Sequence, residues 1–574
     1  MKMKVSDGIA KFLKLRGIDR VFELSGGMIT HLLDSLLKEK INIVTMHHEQ
    51  AAAFAAEGYA RVTRKPGIAL ATSGPGATNL ITGIGSCFFD SIPAVFITGQ
   101  VNTHEQRGDR PIRQLGFQET DIVSMVRPIT KAAFNITNAD QIPEVFENAF
   151  EIAESGRPGP VLIDIPMNIQ RANINWDQNS KKREAPLIPF EKEVFQQITE
   201  AIQLAKRPLI LAGGGIRAAD SITAFRAFVR LTQIPVVMSL MGVDTLPFST
   251  PLRVGFIGSY GNRWANLAIG RSDLILVLGS RLDIRQTGAD TDFFKGDRRI
   301  IHIDCEEGEI NNRIKGCTKV VTDLRVFFKK ANEIFKNQKF ELNNDWNLEL
   351  TELKKKWPDI SEIQNVKGIN PNFFIHRLSQ VSKECCAYVT DVGNHQMWAA
   401  QSVEIAENQF FITSGGMGAM GFGLPTSIGV TFATGMKPTV LIAGDGGFQL
   451  NIQELQTVVR NKLPIKLIVM NNKALGMIRQ FQDSYFEGRY QSTFWGYDTP
   501  DFESVAKSYK IKSKTISSGD EIEGALKWMW EDPYETVLLQ VMIDTFTNVY
   551  PKIAFGKPIT EMEPLSKPIE MEGT

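Results

Sequence analysis

Along the chain, short runs of apolar and β-branched residues alternate with longer stretches whose apolar positions recur at three- and four-residue spacing. The short runs are apolar at consecutive positions, the pattern of strands buried on both faces, and their alternation with helical patterns predicts parallel α/β sheets. Runs at 41–46, 67–72, 94–98 and 161–165 form a first block, those at 208–212, 274–278 and 299–303 a second, and those at 387–391, 439–443 and 465–470 a third. We therefore expect an α/β protein of three doubly wound domains at about 1–175, 188–345 and 365–545, followed by a tail over 546–574. A polar, Lys- and Arg-rich stretch over 175–184, with Pro186 behind it, reads as the first linker. The tail carries four prolines among charged residues and reads as an extended segment wrapped over the surface. Blocks one and three share a faint echo, Thr72-Ser73-Gly74-Pro75-Gly76 and Thr413-Ser414-Gly415-Gly416, as two related domains would.

The strongest chemical signal lies in block three. A buried-strand pattern ends at Gly444-Asp445-Gly446-Gly447, a helical pattern covers 448–462, and the strand at 465–470 ends at Asn471-Asn472. Such a βαβ unit crosses over right-handed and brings its strands side by side, so Asp445 and Asn472 lie beyond the carboxyl ends of parallel strands, where α/β sheets bind ligands. A carboxylate and an amide oxygen are hard ligands for Mg2+ or Ca2+. Gly446 and Gly447 admit a diphosphate close to backbone N–H groups at a helix start. A tight glycine turn alone explains a lone GDG; the whole series in this order is the signature of thiamine-diphosphate enzymes.

Composition removes other classes. Lys+Arg and Asp+Glu balance at 64 each, so no net field attracts nucleic acid or an anionic membrane. No apolar run reaches the 18 or so residues of a span, and the N-terminus lacks a signal-peptide block. Five cysteines without a CxxC pair read as reduced thiols, so we expect a cytoplasmic protein. Arg107-Gly108-Asp109, without a secretory signal, reads as chance.

Several blocks resemble the acetolactate synthase (acetohydroxyacid synthase) catalytic-subunit family nearly word for word. They include His48-Glu49-Gln50, 71–80 (ATSGPGATNL), Phe117-Gln118-Glu119-Thr120, 156–161 (GRPGPV), 396–401 (QMWAAQ), 418–425 (GAMGFGLP), 444–455 (GDGGFQLNIQEL) and 471–477 (NNKALGM). The resemblance implies pyrimidine-binding, central and diphosphate-binding domains, with active sites shared between subunits of a homo-oligomer. It implies thiamine diphosphate and Mg2+, decarboxylation of pyruvate, and transfer of the two-carbon hydroxyethyl (acetyl-equivalent) unit to a ketone. Glu49 matches the glutamate that activates the cofactor; Phe117 and Gln118 match pocket residues. Met420 matches the residue that props the cofactor into its bent shape, and Gly418 the carbonyl that receives its amine. Gly393, Asn394 and His395 fall where the family binds diphosphate, and the Ala474 carbonyl completes the metal shell of Asp445 and Asn472. In the central block Gly213, Gly214, Gly215, Leu240, Met241, Gly242, Gly279, Arg281, Asp283 and Asp304 match segments that hold FAD without redox use, although glycine turns end many strands. Arg285 and Phe481 match substrate-pocket positions. Partners are then pyruvate, a ketone acceptor and further copies of the chain; neither nucleic acid nor membrane is expected, and a regulatory subunit is left open.

Three departures bear on the acceptor. Residues 101–116 form a longer loop than the family's, rich in Arg and Asp; Phe481 replaces a tryptophan; Ser25 replaces a proline before Gly26-Gly27. These departures resemble relatives that use a nucleotide-linked ketosugar and make the branched sugar yersiniose. The acceptor expected is a second 2-keto acid or such a bulkier ketone. A pyruvate oxidase or decarboxylase of the same superfamily is the alternative, and a non-catalytic cofactor-binding regulator a more distant one.

Overall fold

The computed structural model describes residues 2–177, 192–338, 340 and 344–569, so most of the expected linker at 175–186 lies outside the described residues. It contains three six-stranded sheets, every pairing in them parallel. The N-terminal sheet runs Asn42–Thr45, Arg20–Leu24, Gly67–Ala71, Ala94–Gln100, Pro160–Pro166, Ala132–Asn135. Numbered within the sheet in chain order, that is 2-1-3-4-6-5. The C-terminal sheet runs Phe410–Thr413, Ala387–Thr390, Thr439–Gly444, Ile465–Asn471, Val537–Met542, Lys512–Ile516, the same 2-1-3-4-6-5 order. The central sheet differs: Arg253–Phe256, Val236–Met238, Pro208–Ala212, Leu274–Leu278, Arg299–Asp304, Thr318–Val321 give 3-2-1-4-5-6, the order of dinucleotide-binding folds.

The inner strands Gly67–Ala71, Ala94–Gln100, Pro160–Pro166, Pro208–Ala212, Leu274–Leu278, Thr439–Gly444 and Ile465–Asn471 are buried at every residue. Their continuous apolar reading follows from helices on both faces. The shared topology makes the sequence echo a correction of detail. The loop equivalent to 72–76, after the third strand, is 444–447; Ser414 and Gly415 follow the second strand instead.

The N-terminal and C-terminal domains join along two helices, each following the second strand of its sheet. Glu49–Thr63 is alanine-rich, and it crosses Gly423–Ala433 where both lack bulk. A Cβ on Gly429 would fall onto the Ala55 carbonyl, and one on Gly58 would lie 2.5 Å from the Thr426 carbonyl oxygen. One hydrophobic core therefore runs through both domains, from Phe22 and Ala69 to Leu441 and Leu467.

The helix Asn344–Lys356 packs on the central domain, with Trp346 buried and its indole N–H donated to the Pro208 carbonyl at 3.0 Å, so the boundary expected at 345 falls inside an element. The tail is anchored as well as wrapped. Lys552–Ile553 pairs antiparallel with Met562–Glu563, and Ile559 and Met562 are buried in the central core. Among the described residues, no helix is long and apolar enough to cross a membrane.

Candidate active site

The glycine turn 444–447 begins the helix Asp445–Leu450 directly at the end of its strand, so Asp445 is the first helical residue and its side chain points into a confined space. Its Oδ1 accepts from the Gly446 N–H at 2.7 Å and from the Tyr497 hydroxyl at 3.4 Å, whereas Oδ2 is buried without a protein partner. Burial pushes this carboxyl up to about 6, as expected for a carboxylate that lacks a compensating cation. Asn472 lies on the neighbouring strand's end. Its Oδ1 accepts from the Ala474 N–H at 3.2 Å across a turn in which Lys473 adopts a left-handed φ of 54°. Asp445, Asn472 and Ala474 thus offer one carboxylate and neutral oxygens, the set by which Mg2+ is held together with a substrate's phosphates.

Around them the chain is cut back. A Cβ on Gly446 would lie 2.8 Å from Leu475, 3.0 Å from the Tyr497 hydroxyl and 3.1 Å from Met420 Cε. One on Gly476 would lie 2.6 Å from Asn394 Nδ2 and 2.7 Å from Asn472 Nδ2. Asn394 Oδ1 and His395 Nε2 are further buried polar atoms without partners. Burial drives the His395 imidazole down to about 3, so it is neutral at physiological pH. Met420 thus abuts Gly446 and His395 abuts Gly444, on either side of Asp445, while Asn394 and Asn472 meet at Gly476.

Asp391 is a residue missed by sequence reading. It is buried at the end of Ala387–Thr390, and its carboxylate accepts from the N–H groups of Val392, Gly421 and Gly423. It ties the first-strand loop to the Met420 segment and leaves no room for a Cβ on Gly447. The signal was an aspartate closing an apolar run before Val392-Gly393, read there as the strand's last residue. Tyr497 gave no signal, since it sits 52 residues beyond its partner Asp445.

A second cluster occupies the N-terminal domain. Glu49 opens the helix Glu49–Thr63, 7% exposed; its Oε2 accepts from Asn79 Nδ2 at 2.9 Å, and Oε1 would lie 3.2 Å from a Cβ on Gly76. Gln118 is left-handed at φ 64° and abuts Gly74, whose own φ is 63°. Phe117 beside it is 80% exposed. Gly418, also left-handed, has open space where a Cβ would be. Glu49 and Gln118 thus lie with Gly74, Gly76 and Asn79 on one domain, while Asp445 and its partners lie on another.

The central domain contributes a cavity of about 680 Å3 at the junction of all three domains. Gly214, Gly215, Leu240, Met241, Gly279, Arg281, Asp283, Arg285 and Asp304 line it. Gly213 and Gly242 do not; a Cβ on either would strike the Gly279 or the Ala212 carbonyl, so their smallness serves close packing behind the wall. Asp323, unforeseen, also lines it and pairs with Arg325. Arg285 belongs to this cavity, and Phe481 sits apart, its ring tilted by 52° and 53° against Tyr485 and Phe486 with ring centres 4.7 and 5.9 Å away.

Residues 3–125 match the thiamine pyrophosphate enzyme N-terminal TPP binding domain, 195–331 the central domain and 391–541 the C-terminal TPP binding domain. The chain is 35% identical to the acetolactate synthase isozyme 2 large subunit of Escherichia coli K12, over 98% of this chain and 99% of that protein. The chain belongs to the acetolactate synthase large-subunit family. It is 36% identical to the acetolactate synthase large subunit of Lactococcus lactis, covering 96% of this chain and 95% of that one. With the chloroplastic acetolactate synthase 2 of Nicotiana tabacum it shares 36% over 97% and 85% of the two chains. As a member of this family the protein is a thiamine-diphosphate-dependent enzyme.

Proposed function

We propose that the protein decarboxylates pyruvate and joins the remaining two-carbon unit to a ketone, using thiamine diphosphate, Mg2+ and a non-redox FAD, as a cytoplasmic homo-oligomer. The observation that carries this reading is the buried, unpartnered Asp445 Oδ2 at the centre of a glycine-lined recess. Asp445, Asn472 and the Ala474 carbonyl would hold Mg2+, and Gly393, Asn394, His395, Gly446 and Gly447 the diphosphate. When bound, thiamine diphosphate supplies a thiazolium carbon that becomes a nucleophile once its proton has left. Glu49 would hold or move a proton at the cofactor's pyrimidine nitrogen, the Gly418 carbonyl would accept from its amine, and Met420 would support it. Burial around Asp445 and Asp391 would keep water from the bound cofactor, as a reaction sensitive to stray protons needs. The two clusters lie on different domains, as sites shared between subunits require; Phe117, Gln118 and Glu49 of one copy would complete the Asp445 site of another. The central cavity, on a sheet of 3-2-1-4-5-6 order and with Asp304 at a strand's carboxyl end, suits FAD.

The acceptor is a second 2-keto acid or a bulkier ketone such as a nucleotide-linked ketosugar. Phe481, 37% exposed, is narrower than an indole, which would leave more room for an acceptor bound against it. In the 101–116 loop, Arg107 and Arg110 donate to carbonyls of Ile112, Gln106 and Arg107, fixing two guanidinium groups at an exposed rim suited to a diphosphate. Mass spectrometry of products, first from pyruvate alone and then with ketones of increasing size, tests the reading. Carboligation without an electron acceptor supports it; acetate as the sole product, with dye or oxygen reduced, overturns it in favour of an oxidase, and acetaldehyde as the sole product, with no acceptor reduced, in favour of a decarboxylase. Acetolactate formed at full rate, unaffected by any larger ketone, excludes the ketosugar.

A further inference from the structure

The segment that carries Gly418 and Met420 hangs from another domain. The Gly415 and Gly416 N–H groups both donate to Asp90, at 3.0 Å to Oδ2 and 2.6 Å to Oδ1. Asp90 closes the helix Ile81–Asp90 of the N-terminal domain, and its side chain is 2% exposed. Arg61 Nη2 donates to Asp90 Oδ2 at 2.6 Å and to Glu57 Oε1 at 2.5 Å, and Glu57 is wholly buried. Three buried charges, one positive and two negative, thus end on two backbone amides. Beyond them, the Ser414 hydroxyl accepts from the Gly418 and Ala419 N–H groups at 3.1 and 3.3 Å, so the clamp at Asp90 continues directly into the residues that meet the cofactor.

The same atoms border the central cavity. Arg61, Asp90, Gly415 and Gly416 are in its wall together with Met241, whose sulfur would lie 2.5 Å from a Cβ on Gly415. A molecule filling the cavity would therefore lie against the Gly415 and Gly416 backbone that Asp90 holds. We propose that Asp90 is a positioning residue that sets the 414–420 segment for thiamine diphosphate and couples that site to occupancy of the central cavity. The inference rests on thiamine diphosphate binding at Asp445, as argued above. It assigns the non-redox occupant a definite task. By filling the cavity, it restricts the segment before thiamine diphosphate arrives, and the second ligand then binds an already ordered site. The coupling is reciprocal, so each ligand raises the other's affinity by the same factor.

The test measures thiamine diphosphate affinity at saturating Mg2+ by calorimetry, with and without FAD, on the wild-type and Asp90→Asn full-length proteins. The near-ultraviolet circular dichroism of the bound cofactor is recorded alongside. Wild type is expected to bind roughly tenfold more tightly when FAD is present. Asp90→Asn is expected to bind about 10- to 100-fold more weakly, because a charged acceptor of two amides becomes a neutral one. It is also expected to lose the FAD effect and show an altered dichroic band. A role in stability alone would lower the melting temperature and leave the ratio of the two affinities unchanged. If Asp90→Asn does not fold, Gly416→Ala decides: its Cβ would lie 2.8 Å from Phe89 Cβ and 3.0 Å from Asp90 Oδ1, displacing the clamp without removing a charge. Wild-type affinity, dichroism and FAD response in whichever variant folds would overturn the coupling. Failure of the wild-type protein itself to bind thiamine diphosphate would instead overturn the reading of the Asp445 site.

Discussion

The N-terminal and C-terminal sheets have one strand order and opposite chemistry. In both, the loop after the second strand leads into the helix of the inter-domain crossing, but one such loop delivers Glu49 and the other Gly418 and Met420. After the third strand, the C-terminal domain has Gly444-Asp445-Gly446 at the start of a helix, and the N-terminal domain has Gly74-Pro75-Gly76. The third-strand loop thus carries Asp445, the proposed metal ligand, in one domain and in the other shapes the room beside Glu49 and Gln118. On the proposed function, the two folds are equivalent scaffolds on which different loop residues divide the work: one would anchor the diphosphate end of the cofactor, the other address its pyrimidine. Loops at strand ends vary at little cost to the core beneath them, which is why one topology supports both roles.

Substitutions at the two equivalent ends should separate the roles. Glu49→Gln keeps shape and the Asn79 contact but removes the charge, so carboligation should fall by about 10²–10⁴-fold while thiamine diphosphate still binds. A variant with near wild-type turnover would remove Glu49 from the chemistry. Asp445→Ala should instead act on binding, weakening thiamine diphosphate by roughly 100-fold and abolishing the benefit of Mg2+, since the diphosphate loses its only protein carboxylate mediator. Calorimetry giving equal affinities with and without Mg2+ in the wild type would contradict that division.

How far this division was legible depended on whether the signal was local. Asp445 and Asn472 sit in one βαβ unit, so the right-handed crossover alone places them together. The third-strand equivalence of 72–76 and 444–447 was not legible, because the matching letters Thr-Ser-Gly recur after a different strand. Asp391 and Tyr497 act through partners distant in sequence, or through backbone amides that leave no trace in side-chain identity, and Asp323 pairs locally with Arg325 but reaches the cavity only through the fold. Gly213 and Gly242 illustrate the converse: their glycine identity was visible, but a glycine that lines a ligand and one that admits a neighbouring carbonyl look alike until packing is known.

The helix crossing that joins the two sheets gives a third, smaller effect. Gly429→Ala inserts a Cβ onto the Ala55 carbonyl, and neither backbone can retreat without disturbing a shared core. Overpacking of this kind costs about 1–3 kcal/mol, which for a domain of this size lowers the melting temperature by several degrees. An unchanged melting temperature would mean that the two domains slide freely across this contact.

The subtlest test concerns one matched position inside the sheets. Opposite the fifth residue of the fourth strand, the N-terminal sheet has Asp164 facing Thr98, and the C-terminal sheet has Gln540 facing Val469. Both are buried, and both receive an amide from the end of that fourth strand: Gln100 Nε2 reaches Asp164 Oδ2 at 2.9 Å, and Asn471 Nδ2 reaches Gln540 Oε1 at 3.4 Å. The polar network is thus conserved in shape, but only one version titrates. Burial pushes the Asp164 carboxyl up to about 7, against the 3.8 of a free aspartate, despite bonds from Thr98 and Gln100 that favour its charge. Between these values the folded protein keeps a proton that the unfolded chain has released. Stability from this group is therefore fully present below about pH 4 and declines as pH rises toward 7, at no more than about 1.4 kcal/mol per pH unit. Asp164→Asn stays neutral throughout, so the variant's melting temperature should gain on wild type across pH 4–7 and hold a constant difference above it. Parallel melting curves over that range would show that Asp164 is ionised in the folded protein, and that the two sheets differ in charge at this position rather than in titration.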